Sequence, residues 1–167
     1  MAPLRIDPVA EARRHWEERW GPEPSRPMAA VTSIMRAQQV LLARLNEVVR
    51  PHGLTFPRYE ALMLLSFTRT GALPIGKLGE RLQVHRTSAS SIVAALAHDG
   101  LVRRVPSERD RRATLAVITD AGRAAAEAAT ADLHADRFAL GALSSDEQET
   151  VTAVLRELRL DAGDFIA

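Results

Sequence analysis

The sequence predicts a mainly α-helical fold with one small β-hairpin. Apolar residues recur at three- and four-residue spacing along most of the chain, as on one face of a helix. Alanine, the best helix former, is abundant throughout. The only adjacent β-prone runs are "LVRRV" (101–105) and "TLAVIT" (114–119), joined by the turn-prone "PSERDRRA".

The elements follow in order. Asp7 and Pro8 read as an N-cap with proline at the first helical position, and Val9, Ala12, Trp16 and Trp20 continue a helix that should end at Gly21. "GPEPSRP" (21–27) reads as a proline-rich, non-helical linker. From Met28 to about Val49 the stripe Val31, Ile34, Met35, Gln38, Leu41, Leu42, Leu45, Val48 and Val49 predicts a long helix of about six turns. "RPHG" stops it. Thr55 or Phe56 then leads into Pro57 at the start of a helix carrying Tyr59, Ala61, Leu62, Leu64, Leu65 and Phe67, with Gly71 as its C-terminal glycine. "LPIGKLGERLQV" predicts a short extended piece and a short helix with Leu78 and Leu82. After a turn at Val84-His85, "RTSASSIVAALAHDG" predicts a helix with Ala89, Ile92, Val93 and Leu96 on its apolar face. Its other face, Arg86, Thr87, Ser88, Ser90 and Ser91, is small and polar. The charged hairpin follows. Thr119 or Asp120 caps an alanine-rich helix to about Leu140, and Ser144 to Glu147 fits a capping box for a last helix carrying Val151, Val154, Leu155 and Leu158.

Composition narrows the function. The 167 residues suit one domain with helical extensions. Without cysteine there is no disulfide, thiolate metal site or cysteine nucleophile. His15, His52, His85, His98 and His134 show no metal-binding spacing, so no metal site and no cofactor are expected. No G-x-S-x-G, P-loop or H-E-x-x-H pattern supports an enzyme. No apolar run is long enough to span a bilayer and the N-terminus has no signal-peptide core, so the expected location is cytoplasmic, with no membrane partner.

Formal net charge is only +1, yet five arginines fall between Arg103 and Arg112. Clustering, not total charge, marks a nucleic-acid footprint. The order of short helix, turn, small-polar helix and charged hairpin is that of a winged helix-turn-helix. A helix entering a major groove about 12 Å wide needs a small, hydrogen-bonding outer face. His85 just before the recognition helix, and Arg86, Thr87, Ser88, Ser90 and Ser91 on it, are therefore candidate DNA contacts, as are Arg103, Arg109, Asp110, Arg111 and Arg112 on the wing. The arginines would grip phosphates, one of them reaching into the minor groove, where the potential is most negative. Asp110 can hold a neighbouring arginine in one rotamer.

"LGERLQVHRTSASSIVAALAHDGLVRRVPSERDRRATLAVITDAG" resembles the core of the MarR (multiple antibiotic resistance regulator) family. The matching features are the Leu-x-x-x-Leu helix, "DGLVRR", the wing "DRR" and "L-x-V-I-T-x-x-G". Flanking helices in the expected order extend the likeness to most of the chain, and the helix before Pro24 is similar to an addition found in some members. The resemblance implies a homodimer in which residues 28–54 and 120–167 form a helical dimerisation region. Residues 55–119 would form the DNA-binding lobe, and residues 1–27 the N-terminal helix and linker. It implies Asp110 and Arg112 as the wing's Asp-x-Arg pair, and a small aromatic or amphipathic effector held near Met35, Gln38, His52, Arg58, Tyr59 and Met63. Oxidation sensing is excluded by the lack of cysteine. Ile92 stands where the urate-responsive branch carries arginine, although Trp16 and Trp20 resemble that branch's N-terminal tryptophan.

The expected function is a dimeric, sequence-specific DNA-binding transcriptional regulator, a repressor released from a pseudo-palindromic operator by a small molecule. The alternative is a winged-helix protein-interaction module that binds no DNA; salt-dependent binding to duplex DNA separates the two.

Overall fold

The computed structural model describes residues 4–107 and 113–166. Among them the order is α1 (Pro8–Trp20), α2 (Pro22–Val49), α3 (Phe56–Ser66), β1 (Ala72–Pro74), α4 (Ile75–Arg81), α5 (Arg86–His98), β2 (Val102–Pro106), β3 (Thr114–Ile118), α6 (Asp120–Ala135) and α7 (Ser145–Asp161). Contacts divide the chain into two compact units, Met1–Arg44 and Leu45–Ala167. No described helix is long and apolar enough to cross a membrane.

In the first unit the Asp7 side chain accepts the Val9 N–H at 2.9 Å, and Gly21, with φ 88°, ends α1. The expected linker at 21–27 is not one: α2 begins at Pro22. The first N–H groups of a helix have no intrahelical acceptor, so Pro22 and Pro24 give up no hydrogen bond there. Pro27 lies inside the helix, and the first turn is tied down by Ser25, which is fully buried. Its hydroxyl has two acceptors in reach, the Pro22 carbonyl at 2.8 Å and the Glu17 carboxylate on α1 at 3.0 Å. Hydrogen bonds from Arg13 and then Ser25 hold the Glu17 carboxyl below its ordinary range. Farther along α2 the apolar stripe is exposed at Val31, Ile34 and Met35.

The second unit holds the core. The end of α2 contributes Leu45 and Val49, and the fully buried Leu62, Leu65, Leu78, Val93, Leu96 and Leu133 come from α3, α4, α5 and α6. A 3-10 turn at Arg50–His52 and Gly53 at φ 71° end α2. The N–H of Phe56, first in α3, is capped from α2: Asn46 Oδ1 accepts it at 2.7 Å. Pro57 is thus second in the helix, and α3 stops at Ser66. Gly71 is not its C-terminal glycine but part of the turn into β1, with φ 67°.

The extended piece at 72–74 becomes a third strand. The sheet is antiparallel in the order β1-β3-β2, with Ala72 opposite Val117 and Val102 opposite Ile118. Thr119 caps α6 by accepting the Gly122 N–H at 3.0 Å. Gly122 is required there, because a Cβ would run into the Leu101 carbonyl oxygen.

The helix α6 ends at Ala135, short of the expected Leu140. Asp136 accepts the Ala139 N–H at 3.1 Å, and Arg137, Phe138 and Ala139 take φ values of 53°, 50° and 61°, a left-handed turn that no α-helix can continue through. The Ser144–Glu147 capping box opens α7 as expected.

Candidate nucleic-acid interface

α4 and α5 cross closely because small residues meet at the crossing. A Cβ on Gly79 would stand 3.1 Å from the Cβ of Ala89, which is fully buried. Ala89, Val93 and Leu96 face the core, and their helical phase fixes which residues face out. Arg86 and Ser90, one turn apart, line a groove of about 1190 Å³ shared with the start of α4 and the base of the hairpin. Arg69, Lys77 and Arg104 line it too, with Glu80 as the carboxylate among the described lining residues. Lys77 is paired with Glu80 at 2.8 Å. Arginines from the α3–β1 turn, α5 and β2 thus border one groove, an arrangement that raises local positive potential and suits a polyanionic backbone.

Each described residue singled out in the sequence has a definite place. His85 is the N-cap of α5: its Nδ1 accepts the Thr87 N–H at 3.4 Å and lies 2.8 Å from the Thr87 hydroxyl. The Ser91 hydroxyl donates to the Thr87 carbonyl at 3.0 Å. Thr87 and Ser91 therefore already have intramolecular partners, while Arg86 and Ser90 face the groove and Ser88 is exposed. Along β2, alternation puts Arg104 on the face of buried Val102 and Arg103 on the opposite face. Arg103 was the sequence candidate, but the groove is lined by Arg104. Arg69, Lys77 and Arg104 were not singled out, and periodicity alone carries no signal for them because a sheet and two helices must first come together. The Ser107 N–H donates to the Ala113 carbonyl at 3.0 Å, extending the hairpin ladder. Arg109, Asp110, Arg111 and Arg112 lie outside the described residues.

The effector candidates fall into both units. Met35 and Gln38 are exposed positions on α2 in the first. In the second, α3 packs on α6: the Tyr59 hydroxyl lies 2.9 Å from Thr130 Oγ1, which also sits 3.7 Å from the Met63 sulfur. His52 pairs with Asp132 at 2.7 Å. Arg58 reaches Asp99, the C-cap of α5, at 3.1 Å. His98 and Arg58 hold the Asp99 carboxyl below its ordinary range, the hydrogen bond from His98 most strongly. Among the described residues no three His, Asp or Glu side chains converge as a metal site.

A family model described as the MarR family matches residues 52–113. Among solved structures, Sco5413, a MarR family transcriptional regulator from Streptomyces coelicolor, is 53% identical, covers 85% of this chain and 99% of its own, and has a TM-score of 0.80. Sco3205 from the same organism, a MarR family transcriptional regulator solved in complex with DNA, shares the fold at 22% identity and TM-score 0.68, covering 78% of this chain and 87% of its own. The HTH-type transcriptional regulator MhqR of Bacillus subtilis is 28% identical over 137 residues, 79% of this chain and 90% of that protein. With these likenesses to regulators rather than enzymes, and with a winged helix-turn-helix built as described, the chain belongs to the MarR family of transcriptional regulators.

Proposed function

We propose that the protein is a dimeric, sequence-specific DNA-binding repressor, released from a pseudo-palindromic operator by a small aromatic or amphipathic effector. The observation that carries the DNA reading is the groove in which Arg69, Arg86 and Arg104 meet beside the start of α5. In this reading α5 enters the major groove and reads base edges from Arg86, Ser88 and Ser90. The groove cations and the wing arginines Arg109, Arg111 and Arg112 hold backbone and minor groove, with Asp110 fixing a neighbouring arginine. Two such helices in a dimer would meet half-sites about 34 Å apart. Dimerisation through 28–54 and 120–167 is supported by apolar side chains left exposed on α2 and α7, among them Val31, Val154 and Leu158.

The effector reading is supported by the contacts of α3. Tyr59, Met63 and His52 gather an aromatic ring, a sulfur and an imidazole against α6, and the neighbouring Arg58 is joined to the end of α5 through Asp99. An anion that drew Arg58 away would loosen that tie. To act, it must bind the DNA-incompatible state more tightly; a difference of ~1–3 kcal/mol changes affinity about 5- to 150-fold.

The test is a salt titration of binding to a duplex that the protein selects from a random-sequence pool. The logarithm of affinity should fall linearly with the logarithm of salt concentration, and single-base changes in the selected site should weaken binding unequally. No binding to any duplex at low salt would leave the protein-interaction module as the better reading.

A further inference from the structure

The turn between α4 and α5 uses an unexpected residue. α4 ends in a Schellman motif: the Gln83 N–H donates to the Glu80 carbonyl at 3.2 Å and the Val84 N–H to the Gly79 carbonyl at 3.0 Å. The left-handed position of that motif favours glycine, because a Cβ there crowds the backbone carbonyl. Here it is Gln83, with φ 52°. α7 ends in the same motif, with the Gly163 N–H on the Leu160 carbonyl and the Asp164 N–H on the Arg159 carbonyl, both at 3.0 Å. Its left-handed residue is the favoured one, Gly163 at φ 72°.

The two motifs are joined. Gln83 Nε2 donates to Asp164 Oδ1 at 2.9 Å. The other carboxylate oxygen of Asp164 accepts from Arg159 Nε at 2.7 Å. The guanidinium groups of Arg156 and Arg159 lie 5.2 and 5.4 Å from the centre of the Phe165 ring, so the segment after α7 is braced on both sides of Asp164. The carboxylate is thus set in place from its own side, and the bond it accepts is charge-assisted. A glycine at 83 would form the turn with less strain but would have no side chain to reach Asp164.

We propose that Asp164 is a positioning residue for α5: it holds Gln83, and through the short turn to the His85 cap it sets where Arg86 and Ser90 stand. The segment following α7 then takes part in aiming the recognition helix. The inference rests on the proposed DNA-binding function for its consequence, but the clamp itself can be observed without DNA.

The experiment compares Gln83→Ala, Gln83→Gly, Asp164→Ala and the double variant Gln83→Ala/Asp164→Ala in the full chain. Amide hydrogen exchange is followed at residues 84–87, and affinity is measured for a duplex selected by the parent protein. Gln83→Ala and Asp164→Ala should each speed exchange and weaken duplex binding about 3- to 10-fold, the worth of one hydrogen bond. The double variant should be no weaker than either single one, because both remove the same contact. Gln83→Gly should lose the same affinity while melting at or above the parent's temperature. Parental affinity in Gln83→Gly would reduce Gln83 to a strained turn residue and overturn the proposal, as would unchanged exchange in Asp164→Ala. Faster exchange with undiminished affinity would overturn the positioning role. A parent protein that binds no duplex overturns the proposed function instead, and the exchange measurement still decides whether Asp164 holds the turn.

Discussion

Arg86 on α5 and Arg104 on β2 line one groove, while Arg103, the neighbour of Arg104, lies on the opposite face of the strand. Arg104→Ala should weaken duplex binding about equally across sequences and lower the salt-dependence slope by about 1, the signature of one lost phosphate contact, whereas Arg86→Ala should also relax the preference at one base position. Arg103→Ala should change the slope less. Equal slopes for Arg103→Ala and Arg104→Ala would show that general charge, not the groove, governs binding.

The hydroxyls of α5 should separate into two groups. Ser91 already donates to the Thr87 carbonyl, whereas Ser90 lines the groove. Ser90→Ala should alter the ranking of single-base variants of a selected duplex, and Ser91→Ala should leave that ranking as it is. The check is a set of parallel titrations; a changed ranking for Ser91→Ala alone would reverse the assignment.

Two glycines should respond in opposite directions. A Cβ on Gly122 meets the Leu101 carbonyl, a backbone atom held by the Thr119 N–H at 3.1 Å, whereas a Cβ on Gly76 meets nothing within 4 Å. Gly122→Ala should destabilise the fold by about 1–3 kcal/mol, the usual range for overpacking. Gly76→Ala should stabilise it by roughly 0.5–1 kcal/mol, as expected in a helix. Denaturant unfolding of both variants measures the difference.

The capping box of α7 should make stability fall with acid. The backbone N–H of Ser144 and then its hydroxyl hold the Glu147 carboxyl below its ordinary range. A carboxyl depressed in the folded state stabilises fully above its unfolded value, and that contribution is lost as pH falls through the folded value. Glu147→Gln should flatten this part of the acid limb in unfolding curves recorded across pH; an unchanged acid limb would mean the box does not hold in solution.

Leu158 and Val154 are 55% and 64% exposed on α7. In a monomer, aspartate at either site would be nearly neutral for stability. If α7 is a dimer surface, Leu158→Asp should convert the parent dimer to monomer or unfolded chain and abolish duplex binding. Sedimentation of parent and variant at micromolar concentration decides this, and a folded monomeric parent would contradict the dimer.

What the sequence determined by itself is local. Asp7-Pro8, Thr119 and the Ser144–Glu147 box mark helix starts because an N-cap is closed by residues within one turn. The core face of α5 and the two hairpin strands were legible as period and alternation, because side-chain direction follows backbone geometry. From that order of elements the winged helix-turn-helix class could be read. Tertiary structure decided the rest. Prolines 22 and 24 read as a linker, yet α2 begins at Pro22, where Ser25 meets Glu17 on another helix. The hydroxyls of α5 are alike in sequence; only helical phase against the core turns Ser90 to the groove and Ser91 back onto Thr87. Arg103 and Arg104 are neighbours of one type that alternation puts on opposite faces, and only the packing of β2 beside α4 and α5 decides that Arg104 lines the groove. Gln83 carried no signal in the sequence; its hydrogen bond to Asp164, far along the chain, exists only in the folded chain. What decides is how separate elements pack together, clearest for Gln83 and Asp164, 81 residues apart, and periodicity within one element does not carry that information.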